Sequence, residues 1–492
     1  MSAVVRAGTM RGLGRHAPVN LPAQRIDRRG RPQVDLRAIA RFAAPLMATN
    51  AIQALLNLTD TWFIGRLSTD ALAAMSAIYW VMTCAILILG GAGFAVQTFV
   101  AQAHGSRRSA RASQAAWAGM WTSLATWPIF MLLAWAGPAL IAPFDLAPKV
   151  EALALDYWTP RMCGAPLGLA TWALTGFFTG IGATRTTFVV AGATVLANVP
   201  ANQFFMFGLD LGMAGAAWGT NAAQALGLAF AVAIVLSPRL ARAYRTHLTW
   251  RPDRALIGRQ LRIGLPIGVM YGADVLGVAL FQLMIVQTGN SAAAATQIVI
   301  MLTSLAYLPA IGIASAGTTF VGQAIGAGDR DWARRVGNTV IVICVAFMAT
   351  MAVAILVGGR WLLPLFVPPI DAAAREAIAV ALLVLWPAAA YQAFDGLYFG
   401  SASALRGAGD TRVPAAAALL LSWFFFVPLS HTLVFRPGQG WVNGLPQAGL
   451  GALGGWLALM SYAMLLGLSM VTRWRTGRWR GITLGRESRA TR

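Results

Sequence analysis

The segment Thr98-Phe-Val-Ala-Gln-Ala-His-Gly105 occurs again as Thr319-Phe-Val-Gly-Gln-Ala-Ile-Gly326, with six identities in eight positions. The shift that aligns Thr98 with Thr319 also places Pro45 on Pro266, and we call this alignment the first register. Both prolines fall inside predicted helices, where a proline removes a hydrogen bond and tends to kink the helix. Their matching positions make them hinge candidates, although helix packing alone would also account for them.

A second register of the repeat, with a slightly larger shift, places Gly182-Ala-Thr-Arg185 on Gly409-Asp-Thr-Arg412. We therefore predict a basic tail at 1–35, a first half at 36–236, a linker at 237–257, a second half at 258–472 and a basic tail at 473–492. The N-terminal tail is rich in arginine and has no apolar run, so we expect it to lack fixed structure.

The composition indicates a polytopic membrane protein. Of the 492 residues 58% are hydrophobic and 11% are charged, against about 25% charged residues in a typical soluble protein. The apolar residues form runs long enough to cross a bilayer as helices. We predict an all-α protein with 12 transmembrane helices in two repeats of six, at approximately 36–60, 71–103, 112–137, 151–179, 186–207, 214–236, 258–284, 292–325, 336–358, 377–404, 413–434 and 449–472.

The net charge of +21 is distributed in a way that predicts orientation and not nucleic-acid binding. With both termini on one side, that side carries 32 of the 38 Lys and Arg residues, and the opposite side carries five. Such an asymmetry is typical of cytoplasmic loops and tails. We therefore expect both termini in the cytoplasm, an inner (plasma) membrane location, and contact with anionic lipid headgroups.

Four aspartates lie within or beside the apolar runs: Asp60, Asp156, Asp274 and Asp395. A charged group at the centre of a membrane helix costs about 3 kcal/mol even on the lenient insertion scale, so it needs a partner, a proton or a bound cation. Asp60 also suits an interfacial anchor beside Trp62. Asp156, next to an aromatic pair, is interpreted as mainly structural. The partner of the embedded Arg161 is left open.

Asn198 and Asn202 lie one turn apart on the same face of a predicted helix. Amides in a membrane bridge helices, ligate a cation or share a proton with an acid such as Asp60. A buried carboxylate that binds either a small cation or a cationic organic substrate is sufficient for antiport, because the two compete for one negative charge. Two halves of the same orientation further predict a substrate path between them.

The chain resembles the multidrug and toxic compound extrusion (MATE) transporters, most closely the NorM-type branch, over nearly all of 36–472. The residues that carry the resemblance are Pro45 with Asp60-Thr and Gly65, Asn198-Val-Pro-Ala-Asn202, Gly264-Leu-Pro266-Ile with Asp274, Val321-Gly-Gln-Ala-Ile-Gly-Ala-Gly-Asp329, and Leu405-Arg-Gly-Ala-Gly-Asp-Thr411. The resemblance implies two lobes around a central cavity that opens alternately to each side. It also implies export driven by Na⁺ or H⁺, without a cofactor.

The resemblance also assigns site residues. In the second half it implies a coupling site, with Na⁺ as one candidate ion, at Asp274, Tyr307 and Asp395. In the first half the matching positions are Asp60, Asn198, Asn202 and Thr220. Asn202 stands where related members carry a second carboxylate, so we favour the second half as the coupling site. Asp274 replaces the glutamate common in that branch, which leaves the choice of ion open.

Two other functions are compatible with a polytopic chain. A flippase of lipid-linked saccharides from the same superfamily is expected to line its cavity with Lys and Arg, whereas the embedded charges here are mainly acidic. A membrane enzyme is expected to carry clustered catalytic residues near sizeable loops, which are absent. We therefore expect a monomeric exporter of small organic cations, whose individual substrates the sequence does not specify.

Overall fold

The helices form because the long apolar runs are interrupted by short polar turns, and aspartates cap several of their first turns. Asp35, Asp253 and Asp371 each accept a backbone N–H hydrogen bond at a helix start. The computed structural model describes residues 21–366, 371–442, 444–482 and 484, which are nearly all helical. The helices are α1 Leu36–Gly65, α2 Thr69–Gly105, α3 Ser109–Leu124, α4 Trp127–Trp135, α5 Gly137–Ile141, α6 Pro148–Gly180, α7 Thr184–Gln203, α8 Gly212–Val235, α9 Pro238–Tyr244, α10 Arg254–Val286, α11 Asn290–Gly326, α12 Arg330–Phe366, α13 Ala372–Ala408, α14 Arg412–Leu421, α15 Val427–Val434 and α16 Gly451–Arg475.

Ten helices of the described residues are long and apolar enough to cross a membrane. The segments Ser109–Trp135 and Gly137–Phe144 form one further candidate span, bent by 64°. Helix α6 has 33 residues but carries Asp156 and Arg161, and it is not among these spans. The predicted number of twelve is therefore not reached on length and apolar composition alone, and the single helix predicted at 112–137 is broken.

Residues 24–34 form a β-hairpin, so the expectation of an unstructured tail is wrong for this part. Strand β1 (Gln24–Ile26) pairs antiparallel with β2 (Pro32–Val34). The Asp27 carboxylate closes the turn, accepting the backbone N–H groups of Arg29 and Arg31 at 2.8 Å. The predicted tail at 1–20 lies outside the described residues.

The two halves meet through closely packed helices. Gly91 of α2 lies against the backbone of Gly264 in α10, and Gly312 of α11 lies against the backbone of Met47 in α1. A Cβ atom at either glycine would overlap the neighbouring helix, so small residues permit this approach. We call the face on which α1 begins and α16 ends the terminal side.

Candidate functional site

The four first-half residues singled out in the sequence converge on one buried carboxylate. Asp60 Oδ1 accepts the side-chain amides of Asn202 at 2.7 Å and Asn198 at 3.1 Å. Asp60 Oδ2 accepts the Thr220 hydroxyl at 2.9 Å. All four side chains are buried. We call Asp60, Asn198, Asn202 and Thr220 the first-half cluster.

The first-half cluster is built from three helices that approach closely. Asp60 lies one turn before the end of α1, the two asparagines lie one turn apart on α7, and Thr220 lies on α8. Gly219 allows α7 and α8 to meet, because a Cβ at this position would overlap Asn202. Buried amides and hydroxyls require partners, and the carboxylate supplies them at their point of convergence.

Arg161 of α6 lies beside this cluster. It attracts the Asp60 carboxylate electrostatically and donates a hydrogen bond to the buried side chain of Tyr157. Its Nη1 atom is buried and has no hydrogen-bond partner among the described residues. The sequence left its partner open, and the structure places this fixed positive charge close to Asp60.

The second half contains a cluster of two carboxylates among tyrosines. Asp274 of α10 accepts hydrogen bonds from the hydroxyls of Tyr398, at 3.3 Å, and Tyr462. Asp395 of α13 is hydrogen-bonded by Tyr391 and lies close enough to Asp274 for the two charges to repel each other. We call these five residues the second-half cluster. Asp395 Oδ2 is buried and has no hydrogen-bond partner among the described residues.

Tyr307 lies at the edge of this cluster and does not bond to either acid. Its ring packs edge-on against Phe399, with centroids 5.0 Å apart, and 38% of the residue is exposed. Asp274 and Asp395 nevertheless act on it electrostatically. The structure therefore brings the three predicted second-half residues into one region. Tyr307 is the exposed member of the three.

Sequence reasoning missed the tyrosines that bond the two acids. Tyr391, Asp395 and Tyr398 are spaced at i, i+4 and i+7 on α13, a spacing that places them on one helix face. That signal was readable. Tyr462 comes from α16, and only the tertiary packing brings it to Asp274.

The helix predicted at 377–404 ends before Arg406, but the structure places Arg406 inside α13. Its Nη1 atom donates to the Tyr271 hydroxyl at 2.8 Å and its Nε atom donates to Thr318 at 3.2 Å. The reason is helix length, because α13 continues to Ala408. Arg406 therefore lies on α13 between Asp395 of the second-half cluster and the end of the helix.

The hinge candidates lie where the halves touch. Pro45 is inside α1, two residues before Met47, and Pro266 is inside α10, two residues after Gly264. The Pro45 carbonyl accepts the Thr49 hydroxyl at 2.8 Å, a bond to the carbonyl four residues back that often bends helices. Both prolines are thus placed to bend a helix at the contact between halves.

Many long apolar helices that surround two buried carboxylate clusters define a polytopic α-helical membrane protein. The MatE family model matches residues 45–204 and 266–432, which is more than half of the chain. The chain belongs to the MatE family.

The comparisons with single proteins agree with this assignment. The chain is 31% identical over 459 residues to a "Probable multidrug resistance protein NorM" of Pseudomonas aeruginosa, which covers 90% of both chains. It is 30% identical to a protein of the same name from Mesorhizobium japonicum, over 94% of this chain and 96% of the relative. Among solved structures, the "Crystal structure of MATE in the straight conformation" matches with a TM-score of 0.76 at 19% identity, over 90% of this chain and 95% of that chain. The "Outward-facing conformation of a multidrug resistance MATE family transporter of the MOP superfamily" gives the same values.

Proposed function

We propose that this protein is a cation-coupled antiporter that exports organic, cationic amphipathic compounds across the inner membrane by alternating access. The coupling ion is Na⁺ or H⁺, and the ion and the organic cation compete for the second-half cluster. The names of the NorM relatives support multidrug cargo. No cofactor is needed, because the ion gradient supplies the free energy.

The observation that carries this proposal is the Oδ2 atom of Asp395, which has no hydrogen-bond partner in the described part of the chain and lies beside a second carboxylate. Two ionised acids in a low-dielectric interior repel each other, and a proton or a cation relieves that repulsion. Tyrosine hydroxyls around the acids offer further oxygen ligands for Na⁺. Tyr307, partly exposed at the edge, is suited to contact both the ion and an aromatic cargo.

The first-half cluster is a poorer coupling site. Its single carboxylate already accepts three hydrogen bonds, and Arg161 lies close enough to offset its charge. A bound cation would have to displace donors that are already well placed. We therefore assign the first-half cluster a role in positioning the helices and shaping the cavity.

We further propose the twelve-helix arrangement in two lobes. The ten candidate spans, the bent pair and the 33-residue α6 together make twelve crossings. The 32-to-5 distribution of basic residues supports cytoplasmic termini. In this arrangement the terminal side is cytoplasmic, Pro45 and Pro266 are the hinges, and the monomer is the transporting unit.

The experiment is dye efflux by the full chain in proteoliposomes, with ΔpH and ΔNa⁺ imposed separately. Stimulation of efflux by one gradient identifies the coupling ion, and loss of that stimulation in Asp395→Asn assigns the site. The antiporter proposal would be wrong if neither gradient drove efflux. The assignment to the second half would be wrong if Asp395→Asn retained the full response.

A further inference from the structure

The repeated segment found in the sequence forms a pair of equivalent hydrogen bonds between the halves. The Gln102 side-chain amide donates to the carbonyl of Gly407 at 3.0 Å, and that of Gln323 donates to the carbonyl of Gly180 at 2.9 Å. The first register relates the two glutamines, and the second register relates the two glycines. Each half therefore donates to the other through the same position of the repeat.

A second pair of bonds follows the same symmetry one turn away. The Thr98 hydroxyl donates to the carbonyl of Arg406 at 3.0 Å, and the Thr319 hydroxyl donates to the carbonyl of Thr179 at 3.2 Å. These carbonyls belong to the last turns of α6 and α13. Carbonyls in a last helical turn lack the usual partner in their own helix, so the bonds between the halves help to satisfy them.

Backbone packing closes the same region. Gly105 lies against the backbone of Gln323, and Gly326 lies against the backbone of Gln102, so close that a Cβ on either glycine would overlap it. The contact lies at the ends of α2 and α11, on the terminal side. Away from this side the facing helices carry exposed side chains, among them Leu55 and Leu58 of α1 and Met301 and Leu305 of α11.

We propose that Gln102 and Gln323 are paired positioning residues that latch the terminal side shut while the cavity is open on the opposite side. The proposal rests on the alternating-access function proposed above. Opening to the terminal side requires both amides to leave their carbonyls. Because the donors are side chains and not helix backbone, the bonds break without unfolding either helix.

Arg406 connects this latch to the second-half cluster. Its carbonyl accepts the Thr98 hydroxyl bond, while its guanidinium donates to Tyr271, which lies near Tyr307 and Tyr398. Thr179, the equivalent residue in the first half, has no charged side chain. The hydrogen bonds of the latch to backbone carbonyls are therefore symmetric between the halves. Only the second half links the latch to an acidic site, the second-half cluster, through Arg406.

The test measures distances between spin labels at positions 108 and 330, which are exposed on the terminal side of opposite halves. In Gln102→Met with Gln323→Met, side-chain volume is kept and both amide donors are removed. We expect the distance distribution to shift towards longer, terminal-side-open values. We expect the ratio of open to closed molecules to rise about fivefold for each bond lost, because a typical hydrogen bond changes an equilibrium constant by roughly that factor.

Gln392→Met is the matched control, because Gln392 also donates to a backbone carbonyl, that of Thr303 at 3.0 Å, but within the second half. It should leave the distances unchanged. If the double methionine variant does not fold, Thr98→Val with Thr319→Val decides the matter through the second pair of bonds. Unchanged distances in the latch variants, or an equal shift in Gln392→Met, would overturn the proposal. These distances do not depend on transport, so failure of the antiporter proposal is read separately from gradient-driven efflux.

Discussion

The two buried clusters differ in how the charge of their carboxylates is balanced. In the first-half cluster a single carboxylate accepts three hydrogen bonds and lies near Arg161. In the second-half cluster two carboxylates repel each other, and one oxygen of Asp395 has no partner among the described residues. In the first arrangement both carboxylate oxygens have donors, although the buried Asn202 Oδ1 atom has no hydrogen-bond partner among the described residues. We expect the second arrangement to gain from a bound cation.

The difference is informative because sequence segments of the two halves align with each other. The first register relates the hydrogen-bonding segments of the latch, yet it places Phe281 at the position of Asp60 and Gln53 at that of Asp274. The repeat therefore preserves the contacts between halves and not the chemistry inside them. We therefore expect function to depend on the few polar residues that differ between the halves.

The largest expected effect separates the two clusters directly. Asp395→Asn removes a charge from the second-half cluster, so we expect gradient-driven dye efflux to fall at least about tenfold, a loss of roughly 1.4 kcal/mol of coupling. Asp60→Asn, the matched variant in the first-half cluster, should keep stimulation by the gradient. The measurement is the initial efflux rate with and without the gradient. Equal losses of stimulation in both variants would contradict the assignment of coupling to the second-half cluster alone.

Asn202→Asp tests whether the two clusters differ because the first-half cluster lacks a second carboxylate. A second acid within hydrogen-bond distance of Asp60 repels it, and a bound cation relieves the repulsion. We expect the variant to gain thermal stability on addition of Na⁺ or on acidification, to an extent of several degrees. The wild-type chain and Asn202→Leu should show a smaller response of this kind. A variant that responds like Asn202→Leu would contradict this account.

Tyr462→Phe sharpens the description of the second-half cluster. It removes one of the two hydroxyls that donate to Asp274 while keeping the ring. We expect a change of about tenfold in the half-saturating concentration of the coupling ion, since one hydrogen bond to a charged group is lost. Tyr398→Phe, whose bond is longer at 3.3 Å, should have a smaller effect. The reverse order would show that the relative strength of the two bonds is misassigned.

Arg161→Met should have the smallest effect on coupling. The substitution removes the positive charge beside Asp60 and leaves the three hydrogen bonds of the carboxylate in place. We expect the response of efflux to the gradient to change less than about twofold, with lower thermal stability as the main consequence. The check is a pair of assays, gradient-driven efflux and thermal unfolding in detergent. Loss of gradient stimulation would move the coupling function to the first half.

The sequence was sufficient to place the acids because an ionisable residue in an apolar run has few structural explanations. Helix bounds were also readable, since apolar runs and turn residues define them, but the errors reach eight residues at the end of α12. The prediction was wrong at two places. The short hairpin depends on a single aspartate turn, which is a weak local signal. The break between α3 and α4 had a stronger signal, because Pro128 in the first turn of α4 has no N–H group to donate to the carbonyl at the end of α3.

By itself the sequence determined that this chain crosses a membrane, that it contains a repeat, and which buried carboxylates need a partner, because desolvation penalties depend on composition and depth. Only the tertiary structure decided which groups meet those carboxylates. Tyr462 reaches Asp274 from a helix 188 residues away in the chain, and Gln102 reaches Gly407 across 305 residues. Such contacts follow from how helices pack against each other, and no local pattern in the sequence records that packing.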